Sequence, residues 1–507
     1  MGSRLKNSIR NSFWGAFSNL VMTLLNFFVR TIFIRKLGNE YLGINGLFTN
    51  ILYVLSFAEL GVGHAITYCM YKPAAKGDKE KIKSLLKLYK KFYNIIGTII
   101  FLVGLLIIPL FPLIIKDAPN ISENLIIIYL LYLFETASSY FLVYKKSIII
   151  VNQKDYIYDV VKLILQVLKS IMQVFVLIFT KNYTLYLSIF VLSTLFTNII
   201  TYLIANKMYP YISEKDAKDL DKKEEKEITN NIKSLVLYKL GKVSLSGTDN
   251  IIISSIIGIV AVGLYSNYSL IISSVSGITY LLLKGTISSI GNVNATESNE
   301  RKEELMKQML FVSTWLYGFI TICLAILLDP FITIWIGSEY LIPKLASLAA
   351  VLYILIDGME FASHTYISTL GYFKQTRFSS LICAVINIVL SILLGLKFGL
   401  FGIFISTSIS KILTTTWFDT CVIYKNEFNK SAKSYYLKHF LLLISVCINY
   451  LICVLITNLI PDGNIYLFII KSIVTVLLSN IIFVIMFYNT KEFKKICNRL
   501  GVKICKN

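Results

Sequence analysis

The chain has 507 residues, 56% of them hydrophobic, and a mean hydropathy of +0.68. Soluble domains carry about 45–50% apolar residues, so a water-soluble fold of this length has nowhere to bury so much apolar surface. The 50 Lys and Arg outnumber the 29 Asp and Glu to give a net charge of +21. In a soluble protein that would suggest nucleic acid, but here the charges are placed along the chain as membrane topology, and no nucleic-acid partner is expected.

From the N-terminus, Lys6 and Arg10 precede an apolar run with no small-residue cleavage site. It continues through Arg30, and reads as an uncleaved first helix rather than a signal peptide. Apolar windows near the 20 residues that cross a bilayer as a helix predict fourteen spans. They fall at 12–34, 43–70, 92–115, 124–144, 157–179, 184–206, 232–257, 261–290, 308–328, 342–370, 377–396, 399–424, 437–459 and 464–488. None alternates apolar with polar residues as a barrel strand must, so the fold class is all-α integral membrane. The loops alternate in charge: 36 Lys and Arg fall on one side and 6 on the other. The side rich in Lys and Arg is the cytoplasmic one, which predicts an even span count with both termini in the cytoplasm. The eight cysteines show neither CxxC nor a His-paired metal spacing and read as small hydrophobes or cytosolic thiols.

The longest polar stretch, 209–231, contains EKDAKDLDKKEEKE and predicts a cytoplasmic linker. It divides the chain into an N-lobe (1–208), the linker, a C-lobe (232–425), and two further helices with a basic tail (426–507). The two lobes carry traces of one repeat. Gly38 and Gly258, Gly43 and Gly263, and Lys154 and Lys374 each differ by 220 positions, the pattern of a parallel duplication.

The segment FFVRTIFIRKLGNEYLGINGLFTNILYVLSFAELGVGHAI, Phe27 to Ile66, resembles the first two helices of the polysaccharide-transport flippases. These belong to the multidrug/oligosaccharidyl-lipid/polysaccharide superfamily. DNIIISSIIGIVAVGLYSNY, Asp249 to Tyr268, resembles the matching segment of their C-lobe. The resemblance implies two six-helix lobes in a MATE-like inverted V, with two C-terminal helices appended. It also implies alternating access and a cargo of undecaprenyl-pyrophosphate-linked oligosaccharide, with Arg30 matching a cationic cavity position. A polysaccharide polymerase and glycosyltransferases are the partners such a role brings, and a monomer is expected.

Charge inside a span costs about 2.5–3.5 kcal/mol on insertion scales, so each such residue is a functional candidate. In the first helix Ser12, Ala16, Asn19, Thr23, Asn26 and Arg30 recur at helical spacing, as do Asn45, Thr49, Ser56, Glu59 and Gly63 in the second. Lys239, Lys242 and Asp249 mark the seventh helix and Tyr280 the eighth; His64 stands at the expected cavity mouth. Fixed cations at Arg30, Lys239 and Lys242 would replace the hydration of a pyrophosphate, with Asn26, Glu59, Asp249 and Tyr280 among the polar lining. The competing reading pairs Arg30 with Glu59, and Lys239 or Lys242 with Asp249. In the fifth helix Asp159, Lys162, Gln166, Lys169 and Gln173 share a face that either lines a cavity or pairs with Glu135. Asp357, Glu360 and His364 share a face of the tenth helix and suggest a coupling-ion site for H+ or Na+. Their competing role is to pair with Lys411.

No GxxxxGK[ST], HExxH or GxSxG occurs, so the usual parts for ATP hydrolysis and hydrolase chemistry are missing. Together with the family resemblance, this implies non-enzymatic transport without a resident cofactor, for cell-surface polysaccharide biosynthesis in the bacterial inner membrane. The alternatives are a peptidoglycan-precursor flippase, a cation-coupled multidrug antiporter and, more remotely, a membrane glycosyltransferase or polymerase.

Overall fold

The structure, a computed structural model, describes residues 2–59, 61–117, 119–214, 217–230, 232, 236 and 247–499. Regular structure among them is helical throughout. Two compact units form, Met1–Gly263 and Leu264–Asn507.

The first unit contains α1 (Gly2–Leu37), α2 (Asn39–Leu55), α3 (Val62–Lys76), α4 (Lys79–Leu105), α5 (Leu125–Val143), α6 (Asp155–Phe179) and α7 (Tyr183–Met208). It also holds α8 (Asp249–Ile256) and the start of α9 (Ile259–Thr296). α1 lies along α6, α4 and α7 flank α5, and α7 closes on α6. Asn11 ties α1 to the start of α6, donating to the Gln153 carbonyl and accepting from the Tyr156 N–H, both at 3.0 Å. α6 shows why a membrane helix reverses the soluble pattern. Ile164, Leu168, Ile171 and Phe175, at helical spacing, are among its exposed residues, which puts Lys162, Gln166, Lys169 and Gln173 on the opposite face.

The repeat is visible in the backbone. Gly38 and Gly258 both have positive φ, 89° and 130°, a region open to glycine at little cost. Each precedes a helix start, Asn39 and Ile259, that again differ by 220. A Cβ on Gly43 would strike the Ile259 carbonyl, and one on Gly263 would strike that of Asn39, so the two repeat segments cross with the same residues exchanged. Gly43→Ala should therefore cost roughly 1–3 kcal/mol of overpacking, read as a lower yield of folded protein in membranes; unchanged yield and unfolding temperature would refute the crossing. Near Lys154 the spacing differs: Gln153 (φ 58°) and Gly371 (φ 77°), each in a turn between helices, are 218 apart.

The polar segment after α7 does not hang free. It straps onto α4 through Lys81 with Glu224, Lys83 with Glu214 (2.9 Å), Lys87 with Asp219 (2.9 Å) and Lys91 with Glu225 (3.3 Å). Lys83, Lys87 and Lys91 are four residues apart and so stack on one helical face. The Lys87 hydrogen bond and charge hold the Asp219 carboxyl below its ordinary range.

The second unit is built on α10 (Asn299–Trp335), which packs against α11 (Lys344–Met359), α15 (Lys433–Thr457) and α16 (Ile465–Phe487). α12 (Phe361–Leu370), α13 (Phe373–Leu413), α14 (Thr415–Ile423) and α17 (Lys491–Arg499) complete it. α13 doubles back at Gly399 (φ 59°, ψ −139°), where the 396–399 boundary between two spans was predicted. Across the turn Asn387 donates to Thr407 at 3.0 Å and the Ser391 and Ser406 hydroxyls meet at 2.5 Å.

Among the described residues ten helices are long and apolar enough to cross a membrane, and α11 with α12, bent by 42°, makes an eleventh. The 56-residue candidate among the ten, Phe373–Phe428, contains the doubling at Gly399. Of the other expected spans, 43–70 is broken into α2 and α3, and half of 232–257 lies outside the described residues. Several helices outrun their apolar windows. α4 starts at Lys79 and α10 at Asn299, because Asp78 and Ser298 cap them by accepting from the N–H of Lys81 and Arg301. Apolarity measures where lipid begins, not where the helix does. The seven described cysteines are free thiols.

Candidate functional site

Within the first unit, α4, α5, α6 and α7 enclose a cavity of about 330 Å³. Its charged lining is Lys162 and Lys169 of α6 and Glu59, which sits in the 3-10 turn that breaks α2 from α3. Uncharged polar groups fill in between: Gln166 of α6, Tyr93 of α4, and Ser193, Thr194, Thr197 and Asn198 of α7. Glu59 accepts a hydrogen bond from the Tyr93 hydroxyl at 2.8 Å. Lys169 Nζ stands 5.2 Å from the centre of the Phe190 ring, and Glu135 lies close enough to interact with its charge. Glu135 itself accepts from Thr194 at 2.8 Å, so the carboxylate is held by a hydroxyl while the ammonium stays at the cavity wall. Of the two readings of the α6 face, Lys169 takes the first: it lines the cavity, with Glu135 as a charged neighbour.

Asn26 of α1 accepts from Gln166 at 3.2 Å, which connects the polar stripe of the first helix to the cavity wall. One turn further, the Arg30 guanidinium lies among Tyr186, Tyr132 and Tyr183 and interacts with their hydroxyls. The Tyr132 and Tyr183 hydroxyls are 3.0 Å apart. Arg30 thus stands in an aromatic, hydroxyl-bearing setting beside the stripe, outside the set of residues that lines the cavity.

The other expected site residues divide. Asp249 opens α8, and Tyr280 of α9 is 45% exposed, with its ring centre 6.4 Å from that of Phe361; neither lines this cavity. His64 falls in α3, with its side chain outside the described set; Lys239 and Lys242 lie outside the described residues. Lys471 pairs with Asp462 at 2.7 Å. The α7 residues Ser193, Thr194, Thr197 and Asn198 were not singled out from sequence. Their three- and four-residue spacing was the available signal, masked by a helix that is apolar on average.

In the second unit Asp357, Glu360 and His364 do come together, with ligand atoms within 4.8 Å of one another. Glu360 stands at the bend between α11 and α12, as Glu59 stands at the break between α2 and α3. Broken helices expose backbone and place polar side chains at membrane depth, the usual setting for ion and substrate sites in transporters. Lys411 of α13 ion-pairs with Asp357 and lies 3.0 Å from Glu360. His364 Nε2 is 3.3 Å from Glu360, and the Thr415 and Thr416 hydroxyls each donate to it at 2.7 Å. The Lys411 pairing weighed from sequence is thus the arrangement present.

The family model described as "Polysaccharide biosynthesis protein" matches residues 8–287. No curated protein matches the chain. Similar solved structures include a lipid II flippase, MurJ, in an inward closed conformation, with a TM-score of 0.64 at 18% identity over 94% of this chain and 98% of that one. Another is the Vibrio cholerae MATE transporter VcmN, at 0.58 and 15% over 87% and 99%. A MOP superfamily transporter from Pyrococcus furiosus, whose binding pocket is described as reversed in polarity, gives 0.54 and 13% over 84% and 97%. At these identities the likeness establishes a shared fold.

Proposed function

Because the chain belongs to the polysaccharide biosynthesis protein family, we propose that it is a flippase for a lipid-linked saccharide, built on a multi-pass membrane fold shared with MurJ and MATE transporters. The cargo is an undecaprenyl-pyrophosphate-linked oligosaccharide, carried across the bacterial cytoplasmic membrane by alternating access for assembly of a surface polysaccharide. Both termini are cytoplasmic on the 36 to 6 division of loop cations.

The observation that carries this reading is the cavity in the first unit. Its volume falls in the range of about 300–1,000 Å³ usual for ligand sites. A pyrophosphate leaves water only where fixed cations replace its hydration, and Lys162 and Lys169 supply two against the one carboxylate of Glu59. Hydroxyl and amide side chains of α7 suit sugar hydroxyls. A cationic drug would want the opposite balance, which disfavours the multidrug antiporter. Arg30, one turn beyond Asn26 and outside the cavity lining, is proposed to take part in the same transfer.

The test is deletion of the gene in the bacterium that encodes it. Surface polysaccharide should disappear while lipid-linked saccharide accumulates on the cytoplasmic leaflet, and the wild-type gene should restore both. Normal surface glycan with no accumulated intermediate would reject the assignment.

A further inference from the structure

The cluster at the bend between α11 and α12 was open, from sequence, to either H+ or Na+, and its hydrogen bonding favours one. We propose that this cluster is a proton site, with the proton taken up by the His364 imidazole, and that it excludes Na+; only what the proton drives rests on the flippase reading.

A carboxylate offers two oxygens and about four lone-pair positions. At Glu360 the Thr415 and Thr416 hydroxyls both donate to Oε1, while Lys411 Nζ and His364 Nε2 stand 3.0 and 3.3 Å from Oε2 as charge contacts. Na+ binds by gathering several oxygens at once, and here it would first have to expel the Lys411 ammonium. That side chain is only 5% exposed and is shared with Asp357, so the central cation position is already filled from within the protein.

The charge count then leaves room for one small cation. Asp357 and Glu360 bring two negative charges and Lys411 one positive. Groups facing the cluster from neighbouring helices do not make up the difference. Tyr317 of α10, Tyr353 of α11, Cys383 of α13 and Tyr435 of α15 carry neutral hydroxyls or a thiol. Asp419 of α14 adds a further carboxylate, accepting from Ser379 at 2.6 Å. His439 of α15 is only 7% exposed, between the rings of Trp417 and Tyr435, too buried to collect a proton from water. His364 differs in access: its side chain is 19% exposed while that of Glu360 is 3% exposed. With Nε2 facing the Glu360 carboxylate at 3.3 Å, the hydrogen of the neutral ring belongs on Nε2, so the added proton goes to Nδ1 and the imidazole becomes a cation. The imidazolium then competes with Lys411 for Glu360 and leaves the ammonium to Asp357.

Full-length protein in nanodiscs, labelled with 15N-histidine, offers only three imidazoles to observe. Substitutions H64Q and H439Q assign the spectrum. The His364 ring resonances should pass in one step from the neutral Nε2–H pattern to imidazolium between about pH 5 and 8, at the same pH in sodium and in choline chloride. A His364 fixed in one state across that range, or displaced by sodium at constant pH, overturns the proposal. His364→Gln should also lose pH-dependent export of surface polysaccharide. If the resonance step is present but export by this variant is unchanged, the proton site stands and its coupling to saccharide transport fails.

Discussion

Lys169→Ala is expected to lower export of the lipid-linked saccharide by about ten- to a hundredfold, with the protein still inserted at its normal level. A hydrogen bond to a charged group contributes roughly 1.5–3 kcal/mol, and each 1.4 kcal/mol is a factor of ten. Lys169 sits midway along α6 at the wall of the 330 Å³ cavity, where no second lysine of that helix is nearer than Lys162. Lys169→Arg should retain much of the activity, since it keeps the charge. Arg30→Ala should also abolish export, with Arg30→Lys only partly rescuing it, because an ammonium cannot reproduce a bidentate fork. The measurement is surface polysaccharide against membrane protein level. Wild-type export by Lys169→Ala would remove the cavity from the mechanism, and by Arg30→Ala would remove that residue.

Lys411→Met is expected to destabilise the second unit by about 3–5 kcal/mol, the usual penalty for removing one partner of a buried ion pair. The cost comes from Glu360, 3% exposed, which would keep its charge without the ammonium that offsets it. Adding Glu360→Gln to the same chain should recover most of the loss, because a neutral amide needs no counter-charge. Thermal unfolding in detergent, followed with yield from membranes, measures both. An unfolding temperature for Lys411→Met equal to that of the wild type would show that the cluster is not held together as described.

The two sites were unequally legible. Asp357, Glu360 and His364 could be grouped from sequence because three- and four-residue steps place them on one face of one helix. Lys411 was nameable as a partner because a buried lysine must find a carboxylate. The first cavity was harder. Lys162, Gln166 and Lys169 were visible as one face of α6, but Tyr93 and the α7 hydroxyls are polar groups without charge, and such residues occur on many helices without lining anything. Glu59 was placed with Arg30 in sequence because both carry charge on neighbouring helices; in the fold it meets Tyr93 of α4. The Gly43 and Gly263 match, a weak signal by itself, gained a cause once each glycine proved to be the point at which the other repeat's backbone passes.

Sequence by itself determined that this is a helical membrane protein, and its loop charges and glycine spacing gave the expected sidedness and repeat. Span length, hydropathy and loop charge are one-dimensional properties, fixed by bilayer thickness and by the cost of moving charge through it. Only the tertiary structure decided which charges share a cavity, which are paired and where the helices break. Those depend on the rotation of each helix about its axis and on which neighbour it meets, and a turn of about 100° per residue moves a lysine from a protein wall to lipid without changing the composition of its span.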